Sequence, residues 1–211
     1  MLIHVAAIAS GTDASARAVP PMIRRRLAPI GRMALGVLSS LAPDSETPMV
    51  FASSWSDPAK GAELLMQAIG ESAVSPMGFS GSVHNAIGAT ASIWLKNRLA
   101  YRSVSAGTET TEAGLLEAAM ALAEHESVLF VRYEDAPPSL YSNLDIADLP
   151  GEPYAWGLRL VRDPGDGIRT VRIERTGEGA SKRDAAEELA FLTDAARTSL
   201  QHGPWLWEKV P

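Results

Sequence analysis

Short apolar runs alternate along this chain with amphipathic stretches long enough for three helical turns or more, and this alternation constrains the fold more than any other feature. Met1–Ala9 is apolar almost throughout and is closed by Ser10-Gly11-Thr12-Asp13, the pattern of a buried strand ended by a turn. Pro20-Pro21 then opens a helix carrying Met22, Ile23, Leu27, Ile30, Met33, Ala34, Val37, Leu38 and Leu41; Pro29 is expected to kink or divide it, because an internal proline lacks the N–H the helix needs. Pro48–Ser54 is a second strand, followed by a helix over Pro58–Ile69 capped by Ser56 or Asp57, with Leu64, Leu65, Ala68 and Ile69 on its apolar side. Val74–Gly81 reads as a loop, and Ser82 as the N-cap of an Ala- and Gly-rich helix from Val83 to Lys96. Tyr101–Ala106 is a third strand, Gly107-Thr108 turns into a helix to Glu124, and Ser127–Tyr133 is a fourth strand.

After a loop over 136–151, Tyr154–Arg162 and Ile168–Arg175 read as a hairpin about Asp163-Pro-Gly-Asp-Gly167. A last helix is expected over Lys182–Gln201, before Trp205-Leu206-Trp207. Strands linked by helices imply a largely parallel sheet covered on both faces, so the expected class is α/β, in one domain over residues 1–211.

Composition narrows the function. The chain has 211 residues, no cysteine and a net charge of −6. Disulfides, zinc–thiolate sites and a cysteine nucleophile are therefore excluded. Nucleic acid is not an expected partner, since that needs a basic face; the longest basic run is Arg24-Arg25-Arg26. That run reads as a solvated helix turn or as a contact for an acidic carrier protein or partner subunit. No apolar stretch reaches the roughly 20 residues that span a bilayer, so no membrane insertion is expected and the chain reads as cytoplasmic. HExxH, GxGxxG and P-loop patterns are missing, and neither a metal nor another cofactor is expected.

Arg102-Ser-Val-Ser-Ala-Gly-Thr-Glu-Thr110 is the clearest site-like stretch: a strand, a sharp turn of small residues, then a helix. Such an elbow presents a nucleophile at a helix N-terminus, where free N–H groups stabilise an anion. Its nucleophile position is Gly107, which has no side chain. Ser105, Thr108 and Thr110 carry hydroxyls, but a hydroxyl needs an adjacent base. Of the four histidines, His4 reads as a hydrogen-bonded core residue, His125 and His202 as helix-terminus residues. His84, in Ser82-Val-His-Asn85, sits at a helix start and reads either as a tie for the preceding loop or as a base. An autonomous acyltransferase or hydrolase using Ser105 or Thr108 with His84 is one open alternative.

Val74-Ser-Pro-Met-Gly-Phe-Ser-Gly-Ser-Val-His-Asn-Ala86 and Val104-Ser-Ala-Gly-Thr-Glu-Thr-Thr-Glu-Ala-Gly-Leu-Leu-Glu-Ala118, with Pro20–Ala34 and the Trp205-x-Trp207 tail, resemble the short β-ketoacyl synthase-like N-terminal family. Its members are chain length factors of type II polyketide systems, those making aryl polyenes above all. The resemblance implies a thiolase-like half, βαβαβαββ, with a five-stranded, mostly parallel mixed sheet. It implies a lost cysteine at Gly107 and catalytic histidines in a second half that this chain does not carry. The implied role is a non-catalytic partner of a full-length β-ketoacyl-acyl carrier protein synthase, meeting acyl or malonyl chains on carrier protein. Ser82, His84, Asn85, Tyr101, Ser103, Ser105, Glu109 and Thr110 are its family-motif and interface residues. Met77, Phe79, Ile87 and Trp94 are candidates for the acyl tunnel, each equally readable as core packing. Some relatives carry glutamine at the elbow position, where Gly107 stands here with Glu109 as the nearest polar side chain, which weakens the alternative of a subunit that decarboxylates malonyl-carrier protein. A purely structural stabiliser of the synthase is the remaining alternative.

Overall fold

The computed structural model describes residues 1–11, 13–70, 73–141, 150–177 and 185–211. Their strands are β1 (Leu2–Gly11), β2 (Met49–Ala52), β3 (Tyr101–Val104), β4 (Ser127–Glu134), β5 (Tyr154–Val161), β6 (Arg169–Arg175), β7 (Ser199–His202) and β8 (Trp205–Val210). They form one sheet in the order β3-β2-β4-β5-β1-β6-β8-β7. The helices are α1 (Pro21–Arg24), α2 (Pro29–Ser40), α3 (Pro58–Ile69), α4 (Pro76–Ser82), α5 (Ala86–Leu95), α6 (Thr110–Ala121) and α7 (Ala185–Thr193).

The α/β class and the division of the first helical stretch at Pro29 hold. The sheet is larger than the expected five strands, and only β2–β3 and β2–β4 run parallel; the other pairings are antiparallel. The parallel pairs are those joined by helical crossovers, as a parallel connection requires. The expected hairpin of β5 and β6 is not a hairpin: β1 lies between them and pairs with both. Their connection therefore spans two strand spacings, roughly 10 Å, which suits the five-residue Asp163–Gly167 stretch better than a tight turn.

Two more expectations change. Ser75 and Pro76 form an N-cap and first helical residue, with Gly78 N–H donating to Ser75 Oγ at 3.3 Å, so the expected loop over 74–81 contains α4 and the next helix starts at Ala86. The expected last helix keeps only α7 among the described residues, its first residues 182–184 lying outside them. After α7 a turn over 194–198 leads into β7, which pairs with β8 about Gly203 (φ +59°).

β2 and β4 are buried on both faces, which is why their sequences run apolar without alternation. Phe51, Leu129, Val131 and Tyr133 face α2 and α5; Val50, Ala52, Val128 and Phe130 face α6, where Trp156, Phe191 and Trp207 complete the core. Close approach of α5 depends on Gly88, where an added Cβ would lie 2.5 Å from Tyr101 Cδ2. β3 is left at one edge of the sheet, bonded to β2 alone.

Candidate functional site

The elbow follows β3 as the sequence predicts. Ser105, Ala106, Gly107 and Thr108 are exposed, Gly107 sits at φ +56°, and a 3₁₀ turn over Gly107–Glu109 leads into α6. Thr110, buried at the first turn of α6, knots the loop: its Oγ1 accepts from Ala106 N–H (3.0 Å) and donates to Gly107 O (2.7 Å). Ser54 Oγ donates to Gly107 O at 3.1 Å, and Ser105 Oγ donates to Ser54 O at 3.1 Å. The elbow is thus stitched to the loop after β2.

That loop rests on Glu134, at the end of β4. The carboxylate accepts from Ser53 Oγ (2.9 Å), Ser54 N–H (2.7 Å), Trp55 N–H (2.9 Å) and Arg132 Nη1 (2.8 Å). Burial opposes the charge on Arg132, but Tyr154, Glu134 and Glu188 outweigh it and hold the guanidinium above its ordinary pKa. Arg132 Nε donates to Thr111 Oγ1 at 3.1 Å, so the same side chain also reaches α6. Removing one member of so buried a pair costs about 3–5 kcal/mol.

A second set of contacts ties α6 to the end of the chain. Trp205 Nε1 donates to Glu109 Oε2 (3.1 Å) and Trp207 Nε1 to Glu112 Oε1 (3.2 Å), which joins the elbow segment to the Trp205-x-Trp207 tail. His202 Nδ1 lies 3.3 Å from Glu112 Oε1 and from Glu188 Oε1, and Thr111 Oγ1 donates to Glu188 Oε1 at 2.9 Å. His202 is buried in β7, a correction to its reading as a helix-terminus residue. Burial pushes the Glu188 carboxyl up, against the pull of His202 and Arg132.

His84 Nε2 lies 2.7 Å from Ser53 O and must donate to that carbonyl, so the ring ties down the loop. Ser105 and His84 each bond a backbone carbonyl, not one another, and the hydrolase alternative has no base–hydroxyl contact to rest on. His4 Nδ1 meets Thr170 Oγ1 at 3.0 Å across the sheet, as its strand position implies.

Ser105, Gly107, Glu109, Thr110 and His84 are gathered at or beside the elbow. Tyr101 and Ser103 lie on the edge strand. Ser82 closes α4, its hydroxyl on Phe79 O (2.9 Å), and Asn85 is an exposed N-cap without a side-chain capping bond. The four tunnel candidates divide: Met77 and Phe79 are 80% and 60% exposed on α4, whereas Ile87 is buried and Trp94 packs half-buried against the α2–α5 core. Sequence reasoning missed Ser53, Ser54, Arg132, Glu134, Glu112 and Glu188. The signal for Arg132 and Glu134 was two charges closing an otherwise apolar strand. Among the described residues no group of three His, Asp or Glu side chains is placed to hold a metal ion, and no helix is long and apolar enough to cross a membrane.

Comparison with known proteins gives a family. The model for the β-ketoacyl synthase N-terminal domain matches residues 4–208. A search of curated proteins gives no match. A chain of the ketosynthase ApeO in complex with its chain length factor ApeC, from Xenorhabdus doucetiae, superimposes with a TM-score of 0.83 at 23% identity, over 100% of both chains. The ishigamide ketosynthase/chain length factor aligns with a TM-score of 0.56 at 16% identity, over 74% of this chain and 51% of that one. AntDE:AntF, a type II acyl-carrier protein in complex with its ketosynthase, aligns with a TM-score of 0.55 at 13% identity, over 76% of this chain and 62% of that one. At these identities the likeness is one of fold, the thiolase-like N-terminal half of a ketosynthase. With the family model spanning nearly every residue of the sequence, the chain belongs to the β-ketoacyl synthase N-terminal domain family.

Proposed function

We propose that this chain is a non-catalytic chain length factor subunit that pairs with an active β-ketoacyl-acyl carrier protein synthase in polyketide biosynthesis of the aryl polyene kind. The observation that carries the reading is the elbow itself: it keeps the strand–turn–helix geometry, yet Gly107 stands at its nucleophile position in a chain without cysteine. A condensing enzyme needs a thiolate or a comparable nucleophile there. Residues 1–211 act as one synthase-like domain, in the cytoplasm, with elongation carried out by the partner on carrier-bound chains.

The free edge of β3 supports pairing. Val104 is in parallel register with Ala52, and its carbonyl accepts from Ser53 N–H (3.1 Å). In a parallel ladder the backbone groups alternate, so Arg102 and Val104 bond β2 while Tyr101 and Ser103 turn theirs to the open edge. Exposed Ile93 on α5, and exposed Leu116 and Met120 on α6, belong to the two helices that flank this strand. An edge lined by apolar side chains is a surface that another chain covers.

Length control is assigned to Met77 and Phe79, which the fold of the lone chain leaves in solvent and a partner's tunnel would bury. Ile87 and Trp94 shape the same wall from behind. Met77→Ala and Phe79→Ala in the reconstituted complex should lengthen the products, read by mass spectrometry of released polyenes. Unchanged length in both, and in Ile87→Val and Trp94→Phe, would leave only the stabiliser role.

A further inference from the structure

Charge at the β3 edge is confined to one pair of side chains. The elements that meet there, β3, α5 and α6, hold three charged residues, Arg102, Glu112 and Glu117. Glu112 is buried against Trp207. The other two form an ion pair, Arg102 Nε to Glu117 Oε1 at 2.5 Å, with side chains 39% and 33% exposed. Leu116 and Met120 are exposed on the same helix as Glu117, so the pair interrupts an otherwise apolar edge.

Register fixes the face on which Arg102 lies. It stands beside Val50 as Val104 stands beside Ala52, and Val50 and Ala52 belong to the face that α6 covers. The backbone groups of Arg102 are directed to β2, and those of Tyr101 and Ser103 face the open edge.

A second copy of this chain that continues the sheet through the same edge does so about a two-fold axis normal to the sheet, which makes the two strands antiparallel. Hydrogen-bonded pairs then form only between outward-facing residues. Within Tyr101–Val104 one register engages both of them: Tyr101 pairs with the copy's Ser103, and Ser103 with the copy's Tyr101. That register sets Arg102 directly across the axis from the copy's Arg102. The central pair is of the close, non-hydrogen-bonded kind, with Cα atoms about 4.5 Å apart and side chains on one face. Like charges so placed repel, and a charged side chain on an edge strand opposes edge-to-edge pairing. Moving the axis to Tyr101 or to Ser103 leaves a single outward pair.

A different strand suits Arg102 well. A guanidinium donates and does not accept. Its Nε is taken by Glu117, and among the described residues its terminal nitrogens reach no second carboxylate. An Asp or Glu opposite it on the facing strand completes the fork.

We infer that Arg102 selects the partner at this edge: held by Glu117, it opposes the pairing of two copies through β3 and takes a strand that presents a carboxylate. This rests on the partner-subunit reading and adds the residue by which the synthase is told from a second copy. Charges across an interface act in this way, through repulsion of the wrong partner as well as attraction of the right one.

Two double variants test it, and both should fold, because half-exposed ion pairs contribute little to stability. Arg102→Thr/Glu117→Gln removes the charges; Arg102→Glu/Glu117→Arg reverses them. Sedimentation equilibrium reads self-association of the chain alone, biolayer interferometry reads binding to the synthase, and circular dichroism checks the fold. The uncharged variant should self-associate at least about tenfold more tightly than wild type, and adding Ser103→Pro should remove that gain. The reversed variant should self-associate no better than wild type, and should bind the synthase at least roughly tenfold more weakly. Self-association of the uncharged variant within about twofold of wild type overturns the proposal, and so does a gain that survives Ser103→Pro. Synthase binding by the reversed variant within about twofold of wild type overturns it as well. If the wild-type chain binds no synthase, the partner-subunit reading falls, and the sedimentation measurements alone decide whether Arg102 keeps two copies apart.

Discussion

Gly107 and Glu188 show how much single positions carry here. Gly107 combines a left-handed backbone with open space: no atom comes within 4 Å of where a Cβ would stand. A side chain there is strained but not obstructed, so Gly107→Ala should cost about 1 kcal/mol in urea denaturation. Gly107→Cys should fold, react with a thiol probe, and still give no condensation by itself, because no described imidazole is free beside the elbow: His84 is already bound to Ser53 O. Glu188 tests the buried cluster of Glu112, Thr111, Arg132 and His202 around it. Burial holds its carboxyl above the ordinary glutamate value, so below that value both folded and unfolded chains are protonated and the burial has no cost. As pH rises the unfolded state ionises first, and the native state loses stability until pH passes the raised folded value. Glu188→Gln cannot titrate, so its stability relative to wild type should improve as pH climbs through that window in parallel chemical denaturations. A difference that is flat, or that moves against the variant, contradicts the assignment.

β3 is the element on which assembly turns. Ser103→Pro removes one outward N–H while leaving the β2 ladder intact, and Ser103 Oγ has no hydrogen-bond partner to lose. The variant should keep its circular dichroism spectrum and bind the synthase at least roughly tenfold more weakly by biolayer interferometry, the scale of a lost edge pairing with its neighbours. Elements also mark where the sequence was legible. The strand–helix crossovers through β2, β3 and β4 were readable because their periods differ and prolines punctuate them. The placement of β1 between β5 and β6 was not, since two strands with a turn between them look the same whether or not a third enters. β7 was missed because Leu200-Gln-His202 is too short to show a period, and α4 because Gly78 and Gly81 masked a Ser-Pro helix start. At the site, the elbow and Gly107 were visible as a local pattern. The Glu134–Arg132 support and the Glu112–His202–Glu188 cluster join residues about 80 or 90 positions apart, which no local spacing reveals.

The described residues form one sheet flanked by helices, with the elbow and its Gly107 at one end, the β3 edge beside it, and a β7–β8 hairpin that clamps the elbow helix through Trp205 and Trp207. Rigidity around a position that cannot react makes sense where the shape itself is used by a partner. Ser54, Ser105 and Thr110 stitch the loop to its neighbours, and the helices that flank β3 present apolar side chains. The most direct test is an elongation assay with malonyl-carrier protein and an acyl primer, run with this chain alone, the synthase alone, and both together. Elongated product from the pair, and none from this chain by itself, is the result the account expects. Turnover by the isolated chain, or full-length product from the synthase without it, would contradict it.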